Sequence, residues 1–303
     1  MTTATQPLVV IVVLSVNQKT DTLQCLASLR EIDYRNARVI VVDNGSTDGT
    51  AAAVRQSFPD VILIESAINT GAAQGRNIAI AHANRHFPYD YLLFLDNDTR
   101  VGKTFLRELI DALQAQPACG LAFPKVFFMD RPDIFQWAGN YELDFHTGKV
   151  VCRASHQRDT GQFDRPTDSQ LASGCCLLAK RAVLQAVEGF DTIYDPYGWE
   201  DLDFCMRATR NGFHILYVPS ASIWHKSSRT ISQGRYDEVY ARQKGINMKI
   251  FMKRYATPWQ WFGFWCNAPR MAFRTLSREI RRKNFRAALV LFKGFLFPNR
   301  PKP

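Results

Sequence analysis

No two cysteines in this chain are spaced C-x-x-C, and the seven present (Cys25, Cys119, Cys152, Cys175, Cys176, Cys205 and Cys266) are odd in number. That usage argues against a disulfide framework or a zinc site and for reduced thiols in a cytosolic setting. Nowhere does an uninterrupted apolar run approach the roughly 20 residues of a membrane-spanning helix. Met1 to Pro7 contains no Lys or Arg, and the apolar run that follows is short, so no signal peptide is expected. A P-loop is missing too. Gly71-Ala72-Ala73-Gln74-Gly75-Arg76-Asn77 has the glycines of a phosphate cradle but not the Lys-Ser/Thr ending.

What is present is the composition of a folded protein. Apolar residues make up 46% of the 303 and charged residues 22%, which argues against wholesale disorder. The length accommodates one large α/β domain with an appendage. The net charge of +10 is unevenly spread. Residues 226–303 hold 18 Lys and Arg against three acids, a local +15, whereas residues 1–225 carry 20 basic and 25 acidic side chains, a local −5. A slightly acidic body therefore carries a strongly basic tail, a surface suited to an anionic partner such as nucleic acid or anionic lipid.

Along the body, short apolar runs alternate with segments of helical spacing. Strands are expected at 8–16, 39–42, 61–65 and 91–95, with helices at 20–29, 49–56 and 72–85 between them. Fully apolar strands separated by helices indicate βαβ units and a parallel sheet. Ligands of such sheets sit beyond the carboxyl ends of the strands. Three of those ends are polar: Ser15-Val16-Asn17, Asp43-Asn44-Gly45-Ser46 and Asp96-Asn97-Asp98.

The third end is the most telling, because the apolar strand Tyr91-Leu92-Leu93-Phe94-Leu95 stops in two carboxylates one residue apart. Two acids there repel each other unless something cationic sits between them. A divalent cation shared with a substrate diphosphate would resolve the conflict. The simpler reading makes Asp98 the cap of a helix over 99–116. Asp43 also has two readings, as an acceptor for a base N–H or ribose hydroxyl, or as one more polar residue in a strand-to-helix turn. Arg76, a lone arginine entering an alanine-rich helix, suggests a planar contact to a base or phosphate. Residues 118–170 read as loops and short strands. Beyond them come Ser173-Gly174, Gly189-Phe190-Asp191, Trp199-Glu200-Asp201-Leu202-Asp203 with Arg207, a strand over 213–218, and Ile223-Trp224-His225. Asp203 and Arg207, four apart on a helix, fit a structural ion pair.

Taken in order, these motifs resemble family 2 glycosyltransferases of the GT-A fold, most of all the bacterial rhamnosyltransferase-type members, from Leu8 to about His225. One departure is Ala72-Ala73-Gln74, where many relatives have an aromatic and further glycines. The resemblance implies an α/β fold, a nucleotide-sugar-binding mixed sheet flanked by helices. A nucleotide-binding half would span about 1–100 and an acceptor half about 101–228, followed by a helical, basic and aromatic region over 229–303. It also implies an inverting transferase using a nucleoside-diphosphate-sugar donor, dTDP-rhamnose or a UDP-sugar. The acceptor would be a saccharide or lipid-linked hydroxyl in bacterial cell-surface polysaccharide synthesis.

On the matching positions, Ser15, Asn17, Asp43, Asn44, Asn69, Arg76, Asp96 and Asn97 would bind the nucleotide. Asp96, Asp98 and His225 would hold a Mn2+ or Mg2+ ion, Asp201 with Glu200 beside it would be the base, and Trp199 and Gly174 would face the acceptor. Without the resemblance, a lone histidine reads as a packing or surface residue, and Glu200 and Asp201 as acids favoured at a helix amino terminus.

The tail carries Trp259-Gln260-Trp261-Phe262-Gly263-Phe264-Trp265, and 270–293 mixes Arg and Lys with Phe, Leu and Val. Aromatic anchors beside basic faces suit an anionic membrane surface. That would place the protein peripherally on the inner face of the cytoplasmic membrane. Alternatively, the tail packs its aromatics on the catalytic domain, or on a second subunit in a homo-oligomer. Two other functions compete. A nucleotidyltransferase making sugar nucleotides would carry a glycine-rich, lysine-bearing loop where this chain reads Asn17-Gln18-Lys19-Thr20-Asp21. Nucleic-acid binding is suggested only by the basic tail, and the acidic body argues against it, so no nucleic-acid partner is expected.

Overall fold

A computed structural model describes residues 6–226 and 238–281, with 289, 290, 292, 293 and 296 beyond them. The basic residues of 229–237 and most of those expected in 282–303 lie outside the described residues. The first half alternates as its patterning expects: β1 (Val9–Ser15), α1 (Lys19–Arg30), β2 (Ala37–Asn44), α2 (Thr50–Ser57), β3 (Ile62–Ser66), α3 (Ala72–His86) and β4 (Tyr91–Asp96). β1 pairs in parallel with both β2 and β4, and β2 with β3. Ser15 lies opposite Asp43 and Leu14 opposite Asp96, so the polar strand ends align along one edge.

The second half comprises β5 (Thr99–Val101), α4 (Phe105–Ala115), β6 (Cys119–Phe128), β7 (Arg131–Trp137), β8 (Tyr141–Asp144), β9 (Lys149–Cys152), β10 (Thr167–Ser169), β11 (Cys176–Lys180), α5 (Arg181–Val187), α6 (Glu200–Arg210) and β12 (His214–His225). The ten-stranded sheet runs β10-β12-β6-β11-β4-β1-β2-β3, with β5 on β12 and β7 on β6, while β8 and β9 form a separate hairpin. β11 is antiparallel to both β4 and β6, so the sheet is mixed: β4-β1-β2-β3 form the parallel array that the βαβ pattern indicates, and β6 and β12 form a second parallel pair. β4 is apolar as far as Leu95 because both faces are covered. Leu92 and Phe94 join the core that includes Ala79 and Ala83 of α3, and Leu93 and Leu95 join the one that includes Leu26 of α1 and Leu109 of α4. Truncating Leu93 to Ala would cost about 2–5 kcal/mol.

Three local expectations change. The helix expected over 99–116 begins only at Phe105, because Thr99–Val101 pairs with β12, 122 to 126 residues later in the chain. Asp98 therefore caps no helix. The segment 118–170 is more regular than expected and contains β6, ten residues buried throughout. Pro124 and Lys125 interrupt its pattern, and the bulge between Val218 and Ser222 of β12 faces that interruption. For the same reason the strand expected over 213–218 continues to His225.

Two helices follow. α7 (Glu238–Tyr255) is built into the core, with Asn247, Phe251 and Met252 fully buried. α8 (Pro258–Arg281) starts with a proline, whose missing N–H is harmless in a first turn. It buries Phe264 but leaves Trp259 80%, Phe262 62% and Phe273 69% exposed. Among the described residues, no helix is long and apolar enough to cross a membrane.

Candidate active site

The two carboxylates at the end of β4 meet a histidine from the far end of the chain. Pairing of β5 with β12 sets His225 opposite Thr99, next to Asp98. His225 Nε2 lies 3.0 Å from Asp98 Oδ1 and 3.9 Å from Asp96 Oδ2, and its Nδ1 lies 2.9 Å from Gln136 Oε1 on β7. Asp98 is buried and Asp96 is about a third exposed, so the cluster opens to one side. Burial alone would lower the His225 pKa, but the hydrogen bond and charge of Asp98, with Asp96 behind them, outweigh it and raise the value. Burial raises Asp96; Arg76 and His225 pull it back, while Asp98 and Glu200 push it further up. One ligand atom from each of Asp96, Asp98 and His225 lies within 4.8 Å of the others. Two carboxylates and an imidazole whose second nitrogen is held in place make a donor set that fits a divalent cation.

A second pair of carboxylates enters from α6. Asp201 Oδ2 accepts the Gly174 N–H at 2.9 Å, and Oδ1 accepts the Leu202 N–H at 2.9 Å. A Cβ at position 174 would lie 3.0 Å from the Asp201 side chain, close enough that the carboxylate would have to shift. Burial, then the neighbouring Glu200, pushes the Asp201 carboxyl up to about 6, against the Gly174 N–H and Arg76. Such a group is ionised at neutral pH yet basic enough to take a proton. Glu200 accepts from Arg76 Nη1 at 2.9 Å through Oε1, whereas its Oε2 is buried without a protein partner. Arg76 Nη2 reaches Asp96 Oδ1 at 3.3 Å. Arg76 makes its planar contacts with two protein carboxylates, tying Asp96 to Glu200, the neighbour of Asp201.

On the nucleotide side, the expected residues separate into two kinds. Asp43 is buried; its Oδ1 accepts the Ser46 N–H at 2.7 Å and its Oδ2 has no protein partner. An orphaned buried carboxylate oxygen calls for a donor such as a base N–H. The others are committed to the fold. Ser15 and Asn97 join Thr22 in a buried cluster, with Asn97 Nδ2 donating to Thr22 at 2.9 Å. Asn44 accepts from Thr70 and donates to Asn69 and to the Gly71 carbonyl, while Asn17 accepts from the Thr47 N–H.

The loop before α3 is filled from within the protein. Asp195 accepts the N–H groups of Ala73 (2.8 Å) and Gln74 (3.2 Å), occupying the helix end that a phosphate would need. Gly71, at φ +96°, lies so close that a Cβ would collide with the Asp195 carboxylate. Trp199 is buried and packs on Phe251 of α7. Asp203 and Arg207 form the expected ion pair, at 2.7 Å. Gln136 and Asp195 were not singled out by the sequence. Gln136 lies in the segment that gave no clear pattern, and Asp195 is recognisable only once α3 and the 194–199 loop are seen together.

A model of the family described as "Glycosyl transferase family 2" matches residues 10–187. The chain is similar to an N-acetylglucosaminyl-diphospho-decaprenol L-rhamnosyltransferase of Mycobacterium tuberculosis, 28% identical over 288 residues that cover 89% of this chain and 92% of that protein. It is also similar to a poly-beta-1,6-N-acetyl-D-glucosamine synthase of Staphylococcus aureus, 23% identical over 209 residues, 68% of this chain and 47% of that protein. Among solved structures, the mannosyltransferase PcManGT from Pyrobaculum calidifontis in complex with GDP-Man and Mn2+ superposes with a TM-score of 0.61 at 18% identity, covering 98% of this chain and 89% of that one. GalNAc-T7 with UDP, GalNAc and Mn2+ gives 0.60 at 15% identity, covering 79% and 48%.

Proposed function

The chain belongs to glycosyl transferase family 2 and has the GT-A fold, and from that premise we propose that it is an inverting rhamnosyltransferase. The donor is dTDP-rhamnose, and the acceptor is a hydroxyl of a sugar carried on a polyprenyl diphosphate in bacterial cell-surface polysaccharide synthesis. The observation that carries this reading is the Asp201 carboxyl, pushed up to about 6 and linked through Glu200 and Arg76 to the Asp96–Asp98–His225 cluster. The likeness to the mycobacterial rhamnosyltransferase, over nearly the full length of both chains, supports the choice of donor and acceptor class.

Asp201 takes the proton of the acceptor hydroxyl as its oxygen attacks the anomeric carbon and the bond to the diphosphate breaks. Glu200, held by Arg76, keeps negative charge beside that carboxyl and sustains its basicity. Asp43 orients the donor through its free oxygen on the base or ribose. Asp96, Asp98 and His225 hold a divalent ion, which when bound stabilises the charge of the departing diphosphate. An imidazole ligand favours Mn2+ over Mg2+, which prefers an all-oxygen shell. The exposed aromatics of α8 and the basic tail hold the enzyme at the inner face of the cytoplasmic membrane, where a lipid-linked acceptor would be met. The test is a donor screen with purified protein and Mn2+, measuring nucleoside diphosphate release with a polyprenyl-diphosphate N-acetylglucosamine acceptor. Turnover is expected with dTDP-rhamnose. Turnover with UDP-sugars alone would reassign the donor, and release from no donor would refute the reading.

A further inference from the structure

The loop that delivers Glu200 and Asp201 is held from behind by a helix that lies beyond the family match at 10–187. Asn247 of α7 is fully buried, and its Nδ2 donates to the carbonyl oxygens of Tyr194 (2.6 Å), Tyr197 (3.1 Å) and Gly198 (2.9 Å). Its Oδ1 accepts from Gln243 Nε2 at 2.9 Å, and that same nitrogen donates to the Asp195 carbonyl at 3.1 Å. One buried amide therefore gathers the backbone just ahead of the two acids.

That backbone is strained. Gly198 and Trp199 lie in succession at φ +90° and +79°. A left-handed conformation at a bulky residue is unfavourable and persists only where its surroundings over-determine it. The next turn of α7 supplies part of that restraint, since Phe251 packs on the Trp199 ring at 5.0 Å. A turn further on, Arg254 and Tyr255 donate to Asp203 Oδ1 at 2.8 and 2.7 Å, fixing α6 two residues past Asp201. The strained turn directs the chain so that Asp201 meets the Gly174 N–H and Glu200 meets Arg76.

We propose that Asn247 is a positioning residue for the transfer reaction: by tying residues 194–198 to α7, it fixes the turn that aims Asp201 and Glu200 at the reacting centre. The proposal rests on the transferase reading above for the reaction that it serves.

The test uses the full chain with Asn247→Leu, which keeps the side-chain size and removes both amide hydrogens, and with the milder Gln243→Met. Four quantities are compared with the unmodified protein: kcat, donor KM, melting temperature and the titration midpoint of the Asp201 carboxyl by 13C NMR, its signal assigned by loss in Asp201→Asn. The ionisable groups facing that carboxyl are Glu200 beside it, Arg76 from α3, Tyr141 from β8, Cys175 just ahead of β11 and Cys205 on α6. A 1 Å misplacement costs on the order of 10²-fold, so kcat should fall at least about tenfold in Asn247→Leu while donor KM stays within about threefold. The Asp201 midpoint should drop from about 6 as water reaches the carboxyl. Gln243→Met should move both in the same direction by less.

A purely structural helix would lower the melting temperature and leave the midpoint in place. A folded variant with an unmoved midpoint and kcat within about threefold of the unmodified protein would overturn the proposal. If Asn247→Leu does not fold, Gln243→Met decides by the same criteria. Because the midpoint needs no donor, failure of the unmodified protein to use any nucleotide sugar would refute the functional reading and leave this test standing.

Discussion

Replacing Asp201 by Asn should abolish transfer and make the protein more stable. The folded protein holds this carboxyl at about 6, raised by burial first and by Glu200 second. An unfolded chain titrates the same group near 3.9, and a gap of about two pH units corresponds to about 3 kcal/mol. The sign follows from the direction of the shift. Because the folded value lies above the unfolded one, the unmodified protein loses stability as pH rises from about 4 to about 6, and the loss is complete above that. The amide carries no charge and escapes the loss. It weakens the bonds from the Gly174 and Leu202 N–H groups, which a charged acceptor strengthens, at about 1 kcal/mol or somewhat more. A net gain of roughly 1–2 kcal/mol at pH 8 remains, equivalent to a few degrees of melting temperature, and it should vanish near pH 4.

Calorimetric melts from pH 4 to 8 test the stability half, and initial rates of nucleoside diphosphate release test the catalytic half. Asp201→Asn should lose on the order of 10²–10⁴-fold in kcat with donor KM unchanged. The unmodified enzyme should show log kcat/KM rising with unit slope below pH 6 and level above it. A flat profile between pH 5 and 7, or a variant less stable than the parent at pH 8, would refute the assignment of Asp201 as the base.

Asp98→Asn should remove the response of activity to Mn2+ while leaving the circular dichroism spectrum unchanged, and full activity of the parent in chelator would rule out the cluster as a working cation site. Gln136→Leu, which frees the second nitrogen of His225, should weaken Mn2+ by about 10–100-fold in a calorimetric titration. Asp43→Ala should raise donor KM with a smaller effect on kcat, because the partnerless oxygen that it removes is assigned to donor binding; an unchanged KM would assign Asp43 to its turn alone. Trp259→Ala with Phe262→Ala should reduce co-sedimentation with anionic liposomes while leaving melting temperature unchanged, since both side chains are more than half exposed. If the pair instead converts a dimer to a monomer on gel filtration, those aromatics belong to a subunit interface.

The parts of the site readable from sequence are those fixed by local chemistry. Asp96 and Asp98 end an apolar strand, and no packing reason puts two acids there. Asp43 is readable for the same reason. The parts that escape depend on pairings between distant segments. Residue chemistry alone leaves His225 a packing residue, and only the family resemblance sets it with Asp96 and Asp98; the two segments become neighbours because Thr99–Val101 leaves the helical pattern to pair with β12. Arg76 looks like a ligand for a phosphate because its carboxylate partners lie 20 and 124 residues away. β6 was hidden by Pro124 and Lys125, whose interruption is absorbed by a bulge in its neighbour. Asn247 gives no sequence signal, because an asparagine inside a helix is indistinguishable from a solvent-facing one until the carbonyls that it meets are known.

On the proposed reading, the arrangement of charge gives a reason for a cation and the donor to bind together. Asp96, Asp98, Glu200 and Asp201 bring four carboxylates to one edge of the sheet, where Arg76 touches two of them and His225 approaches two. Even with His225 protonated, the acids exceed the bases by two. A nucleotide diphosphate entering such a field is repelled, and partial burial keeps solvent from screening the repulsion. Asp96, Asp98 and His225 would hold a divalent ion whose charge would offset these carboxylates, while Arg76 holds Glu200 and Asp96 in fixed positions. Cation dependence in this protein should therefore reside in donor affinity as well as in turnover. The two carboxylates that sequence shows as a repelling pair are half of a four-acid cluster that, on this reading, would need a counter-charge before it accepted a diphosphate.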